Sequence, residues 1–199
     1  MPRNVDHGKR REEVVEAARR VILREGIEAA TTRAIAREAG YSNGVLTHYF
    51  AGKDDIMVAT LRSSRRRVVE RLRDGLAGRG GMAALRELLL GGLPLDDERV
   101  RERGLELGFW SRSLTSPAVR RAQRAEAEGL RRLVRDLLDA AERAGEIRTR
   151  EDLGDVADRL LALVDGLSVH RLLYPDRLGA DRLERLLGAE IDRIQAGGT

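Results

Sequence analysis

The chain has 199 residues, of which 42% are hydrophobic, 35% charged and only 3% aromatic, and it contains no cysteine. Its length allows one domain or two small ones, and the missing thiol excludes disulfides, iron–sulfur clusters, thiolate zinc sites and a catalytic cysteine. The three histidines have no metal-ligand spacing, so we expect neither a metal nor a cofactor. No apolar run approaches the roughly 20 residues of a membrane span, and the start lacks a signal-peptide core, so we expect a soluble, cytoplasmic protein.

The net charge of +4 is unevenly distributed along the chain. Residues 1–79 carry 17 Lys and Arg against 11 Asp and Glu, whereas the remainder carries 20 against 22. The basic segment is the one expected to face a polyanion. However, 35 of the 37 basic residues are arginine, a bias that GC-rich codons also explain, so charge alone indicates nucleic-acid binding only weakly.

The helix-forming residues alanine, leucine, arginine and glutamate dominate long proline-free stretches, and no hairpin pattern is present, so the sequence predicts an all-α fold. Apolar spacing predicts nine helices. The first helix ends at Gly26. A short second helix is N-capped by Thr32 and ends at Gly40, and a short third one is N-capped by Ser42 and ends near His48. The remaining helices cover 52–76, 82–91, 96–114, 117–145, 152–173 and a last stretch through Ile194.

The stretch TTRAIAREAGYSNGVLTHYF, residues 31–50, has the spacing of a helix-turn-helix. Two short helices joined by a tight turn need a small residue at their crossing and a turn residue that tolerates positive φ. Ala36 and Gly40 meet these two needs. The shared apolar seam comprises Ile35, Ala39, Leu46 and either Tyr49 or Phe50. The second helix, about 43–48, is therefore expected to enter the major groove.

Residues 43–48 are poor helix formers, which indicates a surface selected for contact with a partner. Gly44 alone costs about 1 kcal/mol relative to alanine in a helix. Asn43 can pair with a base edge, and Val45 and the methyl group of Thr47 can contact a thymine methyl. The alternative is that this segment is simply a loop.

Lys53 is placed at the start of the next helix, where a cation opposes the helix dipole. A DNA phosphate at this position would explain the lysine, because helix N-termini also bind anions. His48 and Tyr49 carry polar groups at the ends of their side chains, beside the apolar seam, and these groups can donate hydrogen bonds to phosphate. The alternative for Tyr49 is a core tyrosine whose hydroxyl is satisfied within the protein.

At these residues the sequence resembles the TetR family of transcriptional regulators, over about residues 10–60. The matching positions are Gly26, Thr32, Ile35-Ala36, Ala39-Gly40, Tyr41-Ser42, Gly44, Tyr49-Phe50 and Lys53-Asp54. The chain departs from the family pattern at Tyr41, where valine is usual, and at Thr47, where a tyrosine often contacts phosphate. The segment NGVLTHYFAGKDDI is similar to the branch of choline-responsive repressors of glycine betaine synthesis.

The resemblance implies a DNA-binding domain over residues 8–68, with the motif at 31–50, and a ligand-binding and dimerisation domain over 69–199. It also implies a homodimer through helices near 118–144 and 152–173; the alternative is that their apolar residues form an intrachain core alone. The predicted contacts to double-stranded operator DNA are Thr32, Arg33, Ser42, Asn43, Gly44, Val45, Thr47, His48, Tyr49 and Lys53.

The predicted ligand site combines apolar surface, hydroxyl groups and charge in the larger domain. Its residues are Phe109, Trp110, Ser113, Asp165 and His170. Asp165 and His170 are equally explained as core or interface residues. A quaternary ammonium usually needs an aromatic cage, and only three aromatic residues lie outside the first domain. The effector is therefore left as an unknown small molecule.

These observations lead to the hypothesis of a repressor that a small molecule releases from its operator. One alternative is a constitutive dimeric DNA-binding regulator without a ligand. A helical enzyme and a protein-binding adaptor are further alternatives. The sequence has no nucleophile–base motif, no phosphate loop and no metal set, so we expect no enzymatic activity.

Overall fold

A computed structural model of the chain describes residues 3–197, with side chains from His7 onward except that of Asp74. Every regular element in this range is an α-helix, which confirms the predicted all-α fold. The helices are α1 Arg3–Glu25, α2 Thr32–Ala39, α3 Asn43–Leu46, α4 Lys53–Leu76, α5 Gly81–Gly91, α6 Asp97–Thr115, α7 Pro117–Arg143, α8 Leu153–Leu173 and α9 Ala180–Gln195.

Two global properties limit the sites that these helices can carry. Among the described residues, no helix is both long and apolar enough to cross a membrane. The same part of the chain contains no group of three or more side chains placed to hold a metal ion.

The helices pack into two compact units, each with its own apolar core. The first unit contains the described residues through Arg67 together with Gly104–Ala125. The second contains Val68–Arg103 and the described residues from Glu126 onward. The division thus falls inside α4, α6 and α7, so the segment around the α6–α7 corner returns to the unit that contains the helix-turn-helix.

The core of the first unit joins apolar residues from α1, α2, α3, α4, α6 and α7. Its most deeply buried members include Val14, Ala18, Ile35, Leu46, Ile56, Met57, Leu105, Phe109 and Val119. Phe109 is fully buried in this core, so its ring is a structural part of the helix-turn-helix unit. The sequence analysis placed Phe109 in the larger domain instead, because its partners are distant in sequence.

The core of the second unit is formed by leucine, valine and isoleucine side chains from α5, α7, α8 and α9. Helices α7 and α8 are neighbours in this unit, since the Arg131 guanidinium donates to the Asp158 carboxylate at 2.6 and 3.0 Å. Glu146 also fastens the unit, because its carboxylate accepts from the backbone N–H of Met82 at 2.7 Å, at the start of α5.

The turn between α2 and α3 forms as the sequence predicts. Gly40 adopts the left-handed conformation with φ of 73°, which most other residues reach only with strain. Its N–H donates to the Arg37 carbonyl, and the N–H of Tyr41 donates to the Ala36 carbonyl at 2.9 Å. The left-handed glycine thus ends α2 and turns the chain towards α3.

Two helix limits in this region differ from the prediction. The N-cap of α2 is Thr31 rather than Thr32, because the Thr31 hydroxyl accepts from the Ala34 N–H at 3.1 Å and Thr32 is already helical. Helix α3 spans Asn43–Leu46 rather than 43–48, and its N-cap residue Ser42 makes no side-chain capping bond. The residues after Leu46 form a turn instead of continuing the helix.

Candidate DNA-binding site

Helix α3 and the residues beside it expose a polar surface, which we call the α3 face. Its residues are Ser42, Asn43, Gly44, Val45, Thr47 and His48, all exposed except the half-buried Val45. On the opposite side of the same helix, Leu46 is 2% exposed and packs into the core. The predicted base-contacting residues therefore share one accessible surface held from behind by the apolar seam.

The local packing does not explain the composition of the α3 face. A Cβ atom built on Gly44 would meet only the Ser42 hydroxyl, at 3.8 Å, so the fold leaves room for a side chain there. The Thr47 hydroxyl donates to the Gly44 carbonyl at 2.7 Å, so its methyl group is the part left for an apolar contact. Both observations agree with a surface that approaches another molecule closely.

Arg11 of α1 holds the turn between α3 and α4. Its guanidinium carbon lies 4.1 Å from the centroid of the Phe50 ring, and an N–H donates to the Tyr49 carbonyl. The same side chain lies 3.5 Å from the Asp55 carboxylate, which also accepts from the Ala51 N–H at 3.1 Å. Arg11 therefore positions both the end of the α3 face and the start of α4.

Tyr41 fixes the other end of α3 to the same helix. Its hydroxyl donates to the Glu13 carboxylate of α1, and this hydrogen bond raises the pKa of Tyr41. Valine, which is usual at this position in the resembled family, has no hydroxyl with which to make this bond. Helix α1 thus contacts the chain both before α3, at Tyr41, and after it, at Tyr49.

The predicted phosphate contacts lie next to this surface. Tyr49 is half-buried; its ring centroid lies 4.6 Å from that of His7, and its hydroxyl lies 3.5 Å from an Arg10 nitrogen. The Lys53 ammonium, at the first residue of α4, lies 3.5 Å from the Glu28 carbonyl. The hydroxyl of Tyr49 is therefore beside a cationic side chain rather than enclosed in the apolar core.

The remaining predicted contacts lie on α2. Arg33 is exposed, and Thr32 is half-buried in the first turn. Ile35 and Ala36 on the same helix are buried in the core, whereas Thr32 and Arg33 are not. Their part in DNA binding stays a prediction.

Asp54, the second residue of α4, is tied to the α6–α7 corner. Its carboxylate accepts from an Arg112 N–H at 2.8 Å and from the Ser116 hydroxyl at 2.7 Å. Ser116 is only 2% exposed. Hydrogen bonds from Arg112 and then from Ser116 lower the pKa of Asp54. This network holds the start of α4, and therefore the backbone next to Lys53, in one position.

The predicted ligand residues are divided between the two units. Phe109, Trp110 and Ser113 belong to the first, and Asp165 and His170 to the second. The Ser113 hydroxyl donates to the Trp110 carbonyl at 2.7 Å, so it closes a local turn of α6. Neither unit alone brings all five residues together.

Asp165 and His170 have partners within the second unit. The Asp165 carboxylate lies 3.6 Å from the guanidinium of Arg103, which also donates to the Gly92 carbonyl at 2.8 Å. The ring of His170 meets that of Tyr174 edge-on, with centroids 5.5 Å apart. Asp165 thus joins an ion pair and His170 a ring contact within the second unit, and their part in ligand binding stays a prediction.

Comparison with known proteins decides the family. Residues 14–60 match the model of bacterial regulatory proteins of the tetR family, and residues 81–196 match the C-terminal domain of BetI-type transcriptional repressors. The chain belongs to the TetR family. It is a DNA-binding transcriptional regulator with a helix-turn-helix and a BetI-type C-terminal domain, which confirms the predicted family, branch and function. Members of this family act as transcriptional regulators rather than as enzymes.

Individual relatives cover almost the whole chain. The HTH-type transcriptional regulator PksA of Bacillus subtilis strain 168 is 33% identical over 198 residues, which is 98% of this chain and 94% of PksA. The regulator BetI of Escherichia coli K12 is 30% identical over 193 residues, covering 94% of each chain.

Solved structures have the same fold. A transcriptional regulator from Rhodococcus sp. Rha1 superposes with a TM-score of 0.83 at 30% identity, covering 94% of this chain and 96% of its own. A regulator from Saccharomonospora viridis, crystallised in complex with choline, superposes with a TM-score of 0.84 at 25% identity, covering 93% and 96%.

The Asp54 network generates a prediction for stability. We expect Asp54→Asn to lower the free energy of unfolding by about 1 to 2 kcal/mol at neutral pH, because charge-assisted bonds to a partly exposed side chain are lost. Because the pKa of Asp54 is lowered in the folded protein, this contribution is complete above the unfolded pKa of about 4 and is lost as the pH falls further. Urea denaturation of both proteins across acid and neutral pH measures the difference.

An Arg112→Gln variant and the double variant complete a mutant cycle. A coupling energy near zero at neutral pH, or a wild-type advantage that persists unchanged at pH 3, would contradict the assigned network.

Proposed function

We propose that this regulator is a homodimeric repressor that binds its operator through the α3 face and is released from it by a small molecule. The α3 face is the observation that carries this proposal. It concentrates exposed residues with base-reading chemistry on a short helix. Leu46 anchors this helix in the core, and Arg11 and Tyr41 hold its two ends against α1. Operator binding also implies that the protein acts in the cytoplasm, where the bacterial chromosome lies.

The proposed roles follow from the chemistry and position of each side chain. Asn43 reads a base edge, Val45 and Thr47 contact thymine methyl groups, and Gly44 lets the backbone approach the groove. The remaining predicted residues bind phosphates or orient the motif: Thr32, Arg33, Ser42, His48, Tyr49 and Lys53. We retain residues 8–68 as the DNA-binding domain and 69–199 as the ligand-binding and dimerisation domain, with the α6–α7 corner completing the core of the first.

The dimer proposal is supported by apolar faces on α7 and α8 that the subunit leaves exposed. On α8, a stripe of small and apolar residues follows helical spacing: Ala162, Gly166, Val169 and Leu173. Nothing lies within 4 Å of a Cβ built on Gly166, and Leu173 is 57% exposed. On α7, Leu133 is 41% exposed. These faces suit a second copy of the chain, and TetR regulators form dimers.

Twofold symmetry also serves DNA recognition. A single helix-turn-helix reads too few base pairs for useful specificity, whereas a dimer reads two half-sites about 34–36 Å apart or a multiple of that distance. We therefore propose a pseudo-palindromic operator.

The release step is supported by the choline complex of the Saccharomonospora relative and by the BetI-type C-terminal domain. A ligand that prefers another spacing of the two α3 faces shifts the population away from DNA, and a complete switch needs a preference of about 5.5 kcal/mol. Choline itself usually needs an aromatic cage, and the chain has only six aromatic residues. We therefore propose a small molecule as the effector and do not carry choline over to this chain.

The operator assignment predicts two classes of variant. Tyr49→Phe and Lys53→Ala are expected to weaken binding to all DNA sequences, because they remove phosphate contacts. Asn43→Ala and Thr47→Ala are expected to relax preference at individual base pairs by about 1 to 3 kcal/mol each. Binding selections from random DNA and titrations on the selected operator measure both effects; uniform weakening in all four variants would refute the proposed division of roles.

The dimer assignment predicts a difference between two exposed leucines. Leu133→Asp on α7 is expected to convert the dimer to monomer, because it buries a charge in the proposed interface. Leu186→Asp on α9 is the matched control, since Leu186 is 43% exposed and Leu133 is 41% exposed. Sedimentation velocity measures the mass of each variant, and a dimeric Leu133→Asp protein would exclude this interface.

The release step can be followed through Trp110, the single tryptophan of the chain. We expect a releasing compound to lower operator affinity and to change the emission of half-buried Trp110 in α6. Choline is the first probe because the Saccharomonospora relative holds it, followed by a metabolite library. If no compound in the library releases the protein from its operator, the result would favour the alternative of a constitutive DNA-binding regulator without a ligand.

A further inference from the structure

The first turns of α1 lie directly against the predicted DNA-contacting surface. The His7 ring centroid is 4.6 Å from that of Tyr49, at an interplanar angle of 53°. An Arg10 guanidinium nitrogen is 3.5 Å from the Tyr49 hydroxyl. Both residues precede the segment that matches the tetR family model, which begins at residue 14. The sequence analysis did not include them among the DNA contacts.

His7 and Arg10 lie on a different side of α1 from Lys9, their neighbour in sequence. His7 and Arg10 are three positions apart and share one face of α1. Lys9 lies about 200° around the helix from His7, at about 100° per residue. Arg11 is engaged with Phe50 and the Tyr49 carbonyl. His7 thus meets the Tyr49 ring and Arg10 lies beside its hydroxyl, on the side of Tyr49 that faces the start of α1.

The chemistry of this cluster suits a phosphate group. The Arg10 N–H points to the Tyr49 oxygen as an acceptor, so the hydroxyl proton of Tyr49 is directed to another acceptor. A guanidinium has five donors and binds phosphate oxygens strongly. Glu13, one turn further along α1, accepts from the Tyr41 hydroxyl and is held on that side of the turn.

We propose that His7 and Arg10, together with Tyr49, bind a backbone phosphate of the operator that flanks the base pairs read by α3. The inference rests on the proposed operator binding through the α3 face, with which this cluster is continuous through Tyr49. It extends the DNA contact to the opening turns of α1 and assigns them a role in affinity rather than in sequence preference.

Arg10→Gln tests this inference in the full-length dimer. Loss of one phosphate contact is expected to reduce the slope of log affinity against log salt concentration by about 0.9. The loss of affinity should be equal for the operator and for its single-base variants. Arg10→Lys should keep the wild-type slope, because it keeps the charge. Lys9→Gln is the matched control and should leave the slope nearly unchanged.

The outcomes separate this inference from the proposed function. If wild-type protein binds the operator selectively but Arg10→Gln keeps its salt slope, or Lys9→Gln lowers the slope equally, the phosphate site on α1 is wrong. A change in base preference by Arg10→Gln would also overturn it. Absence of selective binding by the wild type would instead defeat the proposed function itself.

A second variant guards against a folding defect. Should Arg10→Gln lose helical ellipticity, His7→Ala at an exposed position carries the test. It is expected to reduce affinity for every sequence by about fivefold, the value of one hydrogen bond. Unchanged affinity in His7→Ala, with unchanged thermal unfolding, would overturn the inference.

Discussion

The DNA-reading surface depends on contacts that hold a helix too short to hold itself. Helix α3 has four residues, and isolated helices shorter than about 12 residues are marginal in water. Its orientation is therefore set by Leu46 in the core and by side chains of α1 on either side, chiefly Arg11 against Phe50 and Glu13 beneath Tyr41. Because these contacts position α3, its outward-facing side chains are not needed for packing.

The same logic extends to the C-terminal part of the chain. The α6–α7 corner contributes Phe109 and Val119 to the core around the helix-turn-helix, and Arg112 and Ser116 bind Asp54 at the start of α4. The core around the helix-turn-helix is thus completed by residues that follow Phe50, the last residue of the motif, by more than 50 positions.

Local signals in the sequence predicted the helices and the helix-turn-helix, because apolar periodicity, the left-handed Gly40 and proline positions act over a few residues. The N-cap at Thr31 and the short α3 were misjudged, since adjacent threonines offer equal capping chemistry and weak helix formers leave the end undefined. The roles of Arg11, Asp54 and Phe109 could not be predicted, because their partners lie tens of residues away and no local pattern marks them. The cluster of His7, Arg10 and Tyr49 escaped notice for the same reason.

The empty space beside Gly44 has a consequence for DNA recognition. A Cβ built there would meet the Ser42 hydroxyl at 3.8 Å, so packing within the subunit sets no steric requirement for glycine. In the proposed complex the requirement for glycine comes from the DNA instead, because a side chain at residue 44 would stand between the backbone and the groove.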